Sequence, residues 1–357
     1  MVCFNRLHIC FIILLILSAC DQDVGSFGEA EQFSKEQTYQ LNALLKGEPP
    51  AERSFVDISI DRTVTLPKTD EGILFNPAAA WYLEDGQIYI WDGGDFRIKT
   101  FTDEGRFVGT YGDGRGEGPG QFHVSKALGL HADSLFLLDS QLRRLSWFDM
   151  DGSLVQTKQF EERVHDYTLG SDGTEYRIHF GAGLENPYVR LTDSSGEITQ
   201  PQPLQGRDVS SIVFDGTLRS APTQGVYIPS YYPLLLAFAP GDSVARAYPT
   251  PDYGNAPLPE PRIAGEGFSQ FVSPPENRLH WGSQINGETL AVQIRPGEAG
   301  TALFDIYHAK SLTYRYTVRI AVETRRPAHL AYDDGLLVTR ADTSVAVHHL
   351  ARDYEQN

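Results

Sequence analysis

The sequence predicts an all-β chain built from repeated units of about four strands, and three observations predict it. Short runs of alternating character begin at Phe55, with Val56, Ile58 and Ile60 set against Asp57, Ser59 and Asp61. Period-two alternation marks a half-buried strand. The runs are separated by Asp85-Gly86, Gly93-Gly94, Asp151-Gly152, Asp172-Gly173, Asn286-Gly287 and Asp334-Gly335. Such dipeptides tolerate the positive φ of tight hairpins. The third observation is an internal repeat. Gln87–Asp92 (QIYIWD) matches Ser134–Asp139 (SLFLLD), and Arg97, Phe101, Gly105 and Phe107 match Arg144, Phe148, Gly152 and Leu154, every pair 47 positions apart. No helical pattern separates the strands, which argues against parallel βαβ folds.

A repeat of about 40–50 residues with about four strands is the signature of a β-propeller. A third unit is expected over Tyr176–Phe180 and Tyr188–Asp193, with Gly196 and a small insertion. A fourth covers Val226–Pro229 and Leu234–Phe238, and a fifth covers Leu279–Ile285, Thr289–Arg295 and Ala302–His308. The sixth, over Ala328–Tyr332, Leu336–Thr339 and Val345–Leu350, lacks an outer strand, and Val56–Leu66 is expected to supply it. A ring must pair its two chain ends or leave open sheet edges. The expected fold is therefore all-β, a six-bladed β-propeller over residues 54–357, with an N-terminal strand closing the last blade.

The start of the chain has a different character. Arg6 is the sole formal charge before Asp21, and an apolar run from Ile9 to Leu17 leads to Leu17-Ser18-Ala19-Cys20. A basic start, a short apolar stretch and small residues read as a secretory signal over residues 1–19. The run is shorter than the roughly 20 residues that span a bilayer. Residues 20–53 are polar and read as a tether, with a short helix possible over Lys35–Lys46 that Pro49-Pro50 would end. As a flexible coil such a tether reaches about 30 Å.

Two of the three cysteines, Cys3 and Cys10, lie in the leader, so the remaining one is Cys20. An exported domain with no further cysteine has no disulfide and rests on its core, and thiolate chemistry is excluded. The net charge is −17, and loss of Arg6 with the leader makes it −18. No basic block appears, which argues against nucleic acid and against peripheral binding to anionic lipid.

Two resemblances sharpen this reading. Leu17-Ser18-Ala19-Cys20 resembles the bacterial lipobox, which implies cleavage before Cys20 and acylation of its sulfur and new amino group. Several acyl chains together anchor stably where one does not. The Ile88–Asp92 strand, Arg97-Ile98-Lys99-Thr100-Phe101, Gly105 and the Gly112–Phe122 stretch, with its Gly-Pro-Gly-Gln-Phe string, resemble the NHL-repeat propellers. The chain is similar to the six-bladed propeller lipoproteins of Bacteroidota-like bacteria, which implies an NHL-like or TolB-like propeller. That likeness covers about residues 78–160 and implies that the glycine string joins one blade to the next.

Candidate chemistry is sparse. Gly112–Gly120 lacks the Gly-Lys-Ser/Thr and following helix of a phosphate loop, so it reads as a crossover needing positive φ. Asp92 and Asp139 repeat, as do Arg97 and Arg144, and repetition favours a structural role in the turns. Glu71-Gly72 resembles the setting of the acidic metal ligand in gluconolactonase-like propellers, but the Asn and Asp partners of that ligand are not found. His348 and His349 are adjacent, so on a strand they face opposite sides and cannot share an ion. No Gly-x-Ser-x-Gly or His-Glu-x-x-His motif is present.

The expected function is a non-catalytic binding or scaffold lipoprotein of the cell envelope, monomeric and without a cofactor. Its partner would be an envelope protein, a peptide or a glycan, and its contact with the membrane the lipid on Cys20. The alternative is a metal-dependent lactonase-like or lyase-like enzyme. The face bearing the inter-blade crossovers is the expected binding face. It would collect the loops Gly93–Phe96, Gly112–Gln121, Ser140–Arg143, Gly181–Pro187, Pro229–Pro233 and Arg295–Gly300, and the Pro-rich crossover from Asp252 to Pro275. Long loops on a rigid scaffold are where binding residues concentrate. Arg115, Tyr231, Tyr232 and Arg295 are its candidate contact residues.

Overall fold

The computed structural model describes residues 50, 52–67, 70, 72–83, 85–180, 189–192, 198–199, 215–242, 245–254, 278–295, 300–322, 328–333, 335–341 and 344–351. Cys20, the Lys35–Lys46 segment, Glu71, Gly181–Pro187 and most of Asp252–Pro275 lie outside these residues.

The first two described strands are β1 (Phe55–Ile58) and β2 (Ile60–Leu66). The first meander follows: β3 (Pro77–Tyr82), β4 (Gln87–Asp92), β5 (Arg97–Thr102) and β6 (Phe107–Tyr111). The second is β7 (Ala127–His131), β8 (Ser134–Asp139), β9 (Arg144–Asp149) and β10 (Leu154–Gln159). The third is β11 (Asp166–Leu169), β12 (Glu175–Phe180), β13 (Val189–Thr192) and β14 (Ile198–Thr199). The fourth is β15 (Gly216–Ala221), β16 (Gln224–Pro229), β17 (Leu234–Phe238) and β18 (Arg246–Pro249). The fifth is β19 (His280–Asn286), β20 (Thr289–Ile294), β21 (Thr301–His308) and β22 (Tyr314–Ala321). The chain closes with β23 (Ala328–Asp333), β24 (Leu336–Ala341) and β25 (Ser344–Leu350). No helix is present among the described residues.

These strands form six sheets, each an antiparallel meander apart from the contribution of β1. The first strand of every meander lies innermost. Neighbouring inner strands pack side by side, β23 on β3, β19 on β23, β15 on β19, β11 on β15 and β7 on β11. Six apolar clusters fill the wedges between consecutive sheets. Tyr89, Trp91 and Ile98 of the first sheet meet Leu135, Leu137 and Phe148 of the second. Val338, Val345 and Val347 of the last meet Ile88, Ile90 and Phe101 of the first. Burying each such side chain stabilises by about 1.5–3 kcal/mol, and sheets sharing apolar faces in a circle leave none exposed. This is the β-propeller fold.

The N-terminal segment departs from expectation. Val56–Leu66 is not one outer strand of the last sheet; it divides at Ser59. β2 pairs antiparallel with β25, Leu66 opposite Val345, and completes the last sheet. β1 pairs parallel with β22, Ile58 opposite Ile320, and becomes a fifth strand on the fifth sheet. Burial explains the division. Ile58 packs into the wedge between the fifth and last sheets, whereas Val64 and Leu66 pack into the wedge between the last sheet and the first. Arg53, just before β1, holds two carboxylates. Its Nη1 and Nη2 donate to Asp252 at 2.8 and 2.5 Å, and its Nε and Nη2 donate to Asp305 at 3.0 and 3.0 Å. Asp305 is fully buried and also accepts from Thr317 Oγ1 at 2.6 Å.

The repeated aspartates are structural. Asp92 accepts the backbone N–H groups of Phe75, Asn76 and Gly94 at 2.8, 2.7 and 3.0 Å. Asp139 accepts those of His123, Val124, Gln141 and Leu142 at 2.6–3.1 Å. Each therefore ties the incoming crossover to the turn between the second and third strands. Arg144 adds donors to the carbonyls of Glu117 and Gln121 in the crossover. In the first sheet that place is taken by buried Lys99, whose Nζ lies 2.7 Å from Asp92 and 2.7 Å from Asp95 and donates to the Ile73 carbonyl. The glycine-rich crossover closes on itself. The amides of Asp113, Gly116, Gly118, Gln121 and Phe122 all bond within the loop, so they are not free to cradle a phosphate. Gly112 has φ +92°, and a Cβ there would sit 2.4 Å from Phe122, the buried ring that fills the wedge beneath.

Candidate functional site at the channel mouth

The inner strands surround a cavity of about 690 Å3, inside the range of about 300–1,000 Å3 typical of ligand sites. Its wall comes from β3, β7, β11, β15 and β19, with Asp333 from β23. The mouth is built by residues that immediately precede inner strands: Lys126 before β7, His165 before β11, Asp215 before β15 and Arg278 shortly before β19. Backbone bonds to the neighbouring second strands fix these positions. Lys126 N donates to Leu138 O, His165 N to Ile178 O and Ser230 N to Asp215 O, at 3.0, 2.7 and 2.6 Å.

Side chains at the mouth converge. His165 Nε2 lies 3.1 Å from Asp215 Oδ1, and Arg278 Nη2 lies 3.6 Å from Asp215 Oδ2. Burial pushes the Asp215 carboxyl up, but the His165 hydrogen bond and the charges of Lys126, His165 and Arg278 outweigh it and hold the group below the usual carboxylate range. Arg278 also donates to Ser230 Oγ at 3.2 Å and to the His280 carbonyl at 3.1 Å. Its guanidinium sits 5.4 Å from the Trp281 ring centroid, a cation–π arrangement. Lys126 is exposed.

Deeper in the wall, Asp166 is buried and accepts from Leu218 N and Tyr167 N, both at 2.8 Å. Burial pushes this carboxyl up, and nearby Arg219 and the two amides only partly oppose it. Arg219 donates to Ser283 O and Leu218 O, at 2.7 and 2.7 Å. Asp333 accepts from Asn286 Nδ2 at 2.6 Å. The described carboxylates of the channel are thus each committed to a donor rather than converging on one point.

One group of potential metal ligands stands out among the described residues: Asp103, Glu104 and His349. None of the three lines the cavity. Arg62 already holds Glu104 through two bonds of 2.8 and 2.7 Å, and its Nη2 lies 3.1 Å from His349 Nε2. His348 points the other way, between the Thr63 and Thr339 hydroxyls at 2.9 and 2.9 Å.

The residues expected to make contacts fall in different places. Tyr231 is half-buried beside the mouth; burial pushes its hydroxyl up, Arg278 works against that and Asp215 with it. Tyr232 is 1% exposed, packed with Tyr176, Tyr227 and Phe238 between the third and fourth sheets, and offers no contact surface. Arg115 is exposed on the glycine-rich crossover, 5.1 Å over the Phe96 ring. Arg295 is exposed at the end of β20, where its amide donates to Leu279 O at 3.1 Å. Neither arginine lines the cavity. Sequence reasoning missed Lys126, His165, Asp215 and Arg278. Their signal was positional: a polar residue just ahead of successive inner strands.

Geometry thus defines a β-propeller with a charged channel mouth. Among solved structures, the chain is similar to a protein described as exported from Bacteroides fragilis, with 12% identity, TM-score 0.55, and coverage of 83% of this chain and 99% of that one. It is similar to a member of the DUF4221 family from Bacteroides vulgatus, with 9% identity, TM-score 0.55, and coverage of 85% and 99%. A gluconolactonase from Xanthomonas campestris aligns at 11% identity and TM-score 0.48, over 86% and 99%. At these identities the likeness is one of fold. No family model matches the sequence, and no curated protein does.

Proposed function

We propose that this chain is an envelope lipoprotein whose six sheets are six blades of one ring, and that it acts as a binding module taking its ligand at the channel mouth. The observation that carries the reading is the cavity, with a cationic cluster at the end where the crossovers and Tyr231 lie. Six inter-sheet clusters in a closed succession support the blade count. The description of the Bacteroides fragilis neighbour as an exported protein supports an envelope location, as does the signal-like start. A binding role fits better than metal-assisted hydrolysis. The latter needs carboxylates or imidazoles left free to converge on an ion, and the described ones at the channel are bonded to donors.

Two experiments test the reading. The Cys20→Ala variant is expected to remain uncleaved at this site or to leave the membrane fraction; a variant that migrates and fractionates like wild type would remove the lipid anchor. Capture from the native envelope tests the face. Arg115→Ala with Tyr231→Ala is expected to reduce capture with melting temperature nearly unchanged, because both side chains are at least partly exposed. Tyr232 is left intact because it is core. Capture that survives the double change, yet is lost when Asp151 and Asp172 on the short-turn face are replaced, places the ligand on the other side.

A further inference from the structure

The mouth cluster carries more information than the presence of a binding site. The chain is strongly acidic, at −17, yet the described charged groups around Asp215 are Lys126, His165 and Arg278. Among the described residues one carboxylate, Asp215, sits with Lys126 and Arg278, so this cluster holds at least one positive charge that it does not balance. Arg278 is committed to Asp215, Ser230 and a carbonyl. Lys126 forms no ion pair with any described residue and is exposed, so it is the cation left to a ligand. An ammonium is a mobile point charge with three donors, suited to meeting an anion that arrives from solvent.

The wall below the mouth narrows the chemistry further. It carries the polar side chains of Thr168, Ser220, Gln284 and Asn286 and the half-buried indoles of Trp81 and Trp281, beside half-buried Leu130, Leu169 and Ile285. Flat aromatic faces beside hydroxyl and amide groups match a ring whose faces are C–H and whose rim is hydroxyl. Resting on the reading of the mouth as a binding site, we propose that its ligand is an acidic saccharide. Its carboxylate would meet Lys126 at the mouth and its sugar rings the polar and indole wall.

Calorimetric titration of the full-length protein with trigalacturonate, and with the same trisaccharide as its methyl ester, tests this. The acid is expected to bind at least about tenfold more tightly than the ester, a difference of about 1.4 kcal/mol. Added salt should weaken the acid alone. Lys126→Gln, an exposed change that leaves the fold intact, is expected to cost the acid about five- to tenfold and the ester nothing. Equal affinity for acid and ester, or an unchanged affinity in Lys126→Gln, overturns the assignment while leaving a binding site at the mouth. No binding of either saccharide also overturns it, and the envelope capture above then decides the broader reading by itself. A tripeptide bound through its free C-terminal carboxylate as tightly as the acid would overturn the saccharide.

Discussion

Deleting Phe55–Leu66 is expected to abolish the cooperative thermal transition of the whole domain, whereas deleting Asp21–Glu48 should leave the melting temperature essentially unchanged. The first deletion removes Ile58, Val64 and Leu66 from two different wedges, and each is at most 6% exposed. At about 1.5–3 kcal/mol per buried side chain, their loss approaches the net stability of an ordinary domain, about 5–15 kcal/mol. It also bares the edges of β22 and β25, which β1 and β2 cover. The second deletion removes a mostly polar stretch ahead of the first described strand. Calorimetric scans of the two variants decide the matter, and superimposable transitions would contradict the closure of the ring by this segment.

Lys99→Met should cost about 3–5 kcal/mol, because it strips the cation from a buried pair and leaves the charge on Asp92 uncompensated. The side chains are 6% and 0% exposed, so solvent does little to screen the loss. The pH dependence has a definite sign. Burial alone would push the Asp92 carboxyl up, but Lys99 and the Phe75, Asn76 and Gly94 amides outweigh it and hold it below the ordinary carboxylate value. A depressed folded-state value contributes stability that is present above the unfolded value, near pH 4, and lost as pH falls through the folded one. The gap between wild type and variant should therefore be widest near neutrality and should narrow in acid. Denaturant midpoints measured from pH 7 to pH 3 would show this, and a gap that widens in acid would contradict the pairing.

Much of the fold is legible because a hairpin repeat carries its own punctuation. The runs at Leu234–Phe238 and Val345–Leu350 fall on β17 and β25 almost residue for residue. The division at Ser59 is not legible, because the alternation runs unbroken through Ile58, Ser59 and Ile60. Period two states which side chains are buried, not which neighbouring sheet buries them. Tyr231 and Tyr232 are not separated by any strand alternation. They lie in the bend between β16 and β17, and it is the packing there that turns Tyr232 into the wedge and leaves Tyr231 half-buried. The mouth was obscured by the repeat logic itself. Positions that recur with one identity, such as Asp92 and Asp139, prove to be scaffold, whereas Lys126, His165 and Asp215 share a place in their blades but not a residue type.

Arg53 has a mechanical consequence. Whatever tugs on the chain from its N-terminal side reaches this guanidinium before it reaches any described strand, and the guanidinium is clamped to Asp252 in the turn after β18 and to Asp305 on β21. Beyond it, β1 lies parallel to β22, so a pull along β1 loads its hydrogen bonds together in shear instead of unzipping them one at a time. The strand that completes the last sheet, β2, sits behind both. A domain hung from its first residues would thus carry its load on the fifth sheet, leaving the seam that closes the circle unstressed.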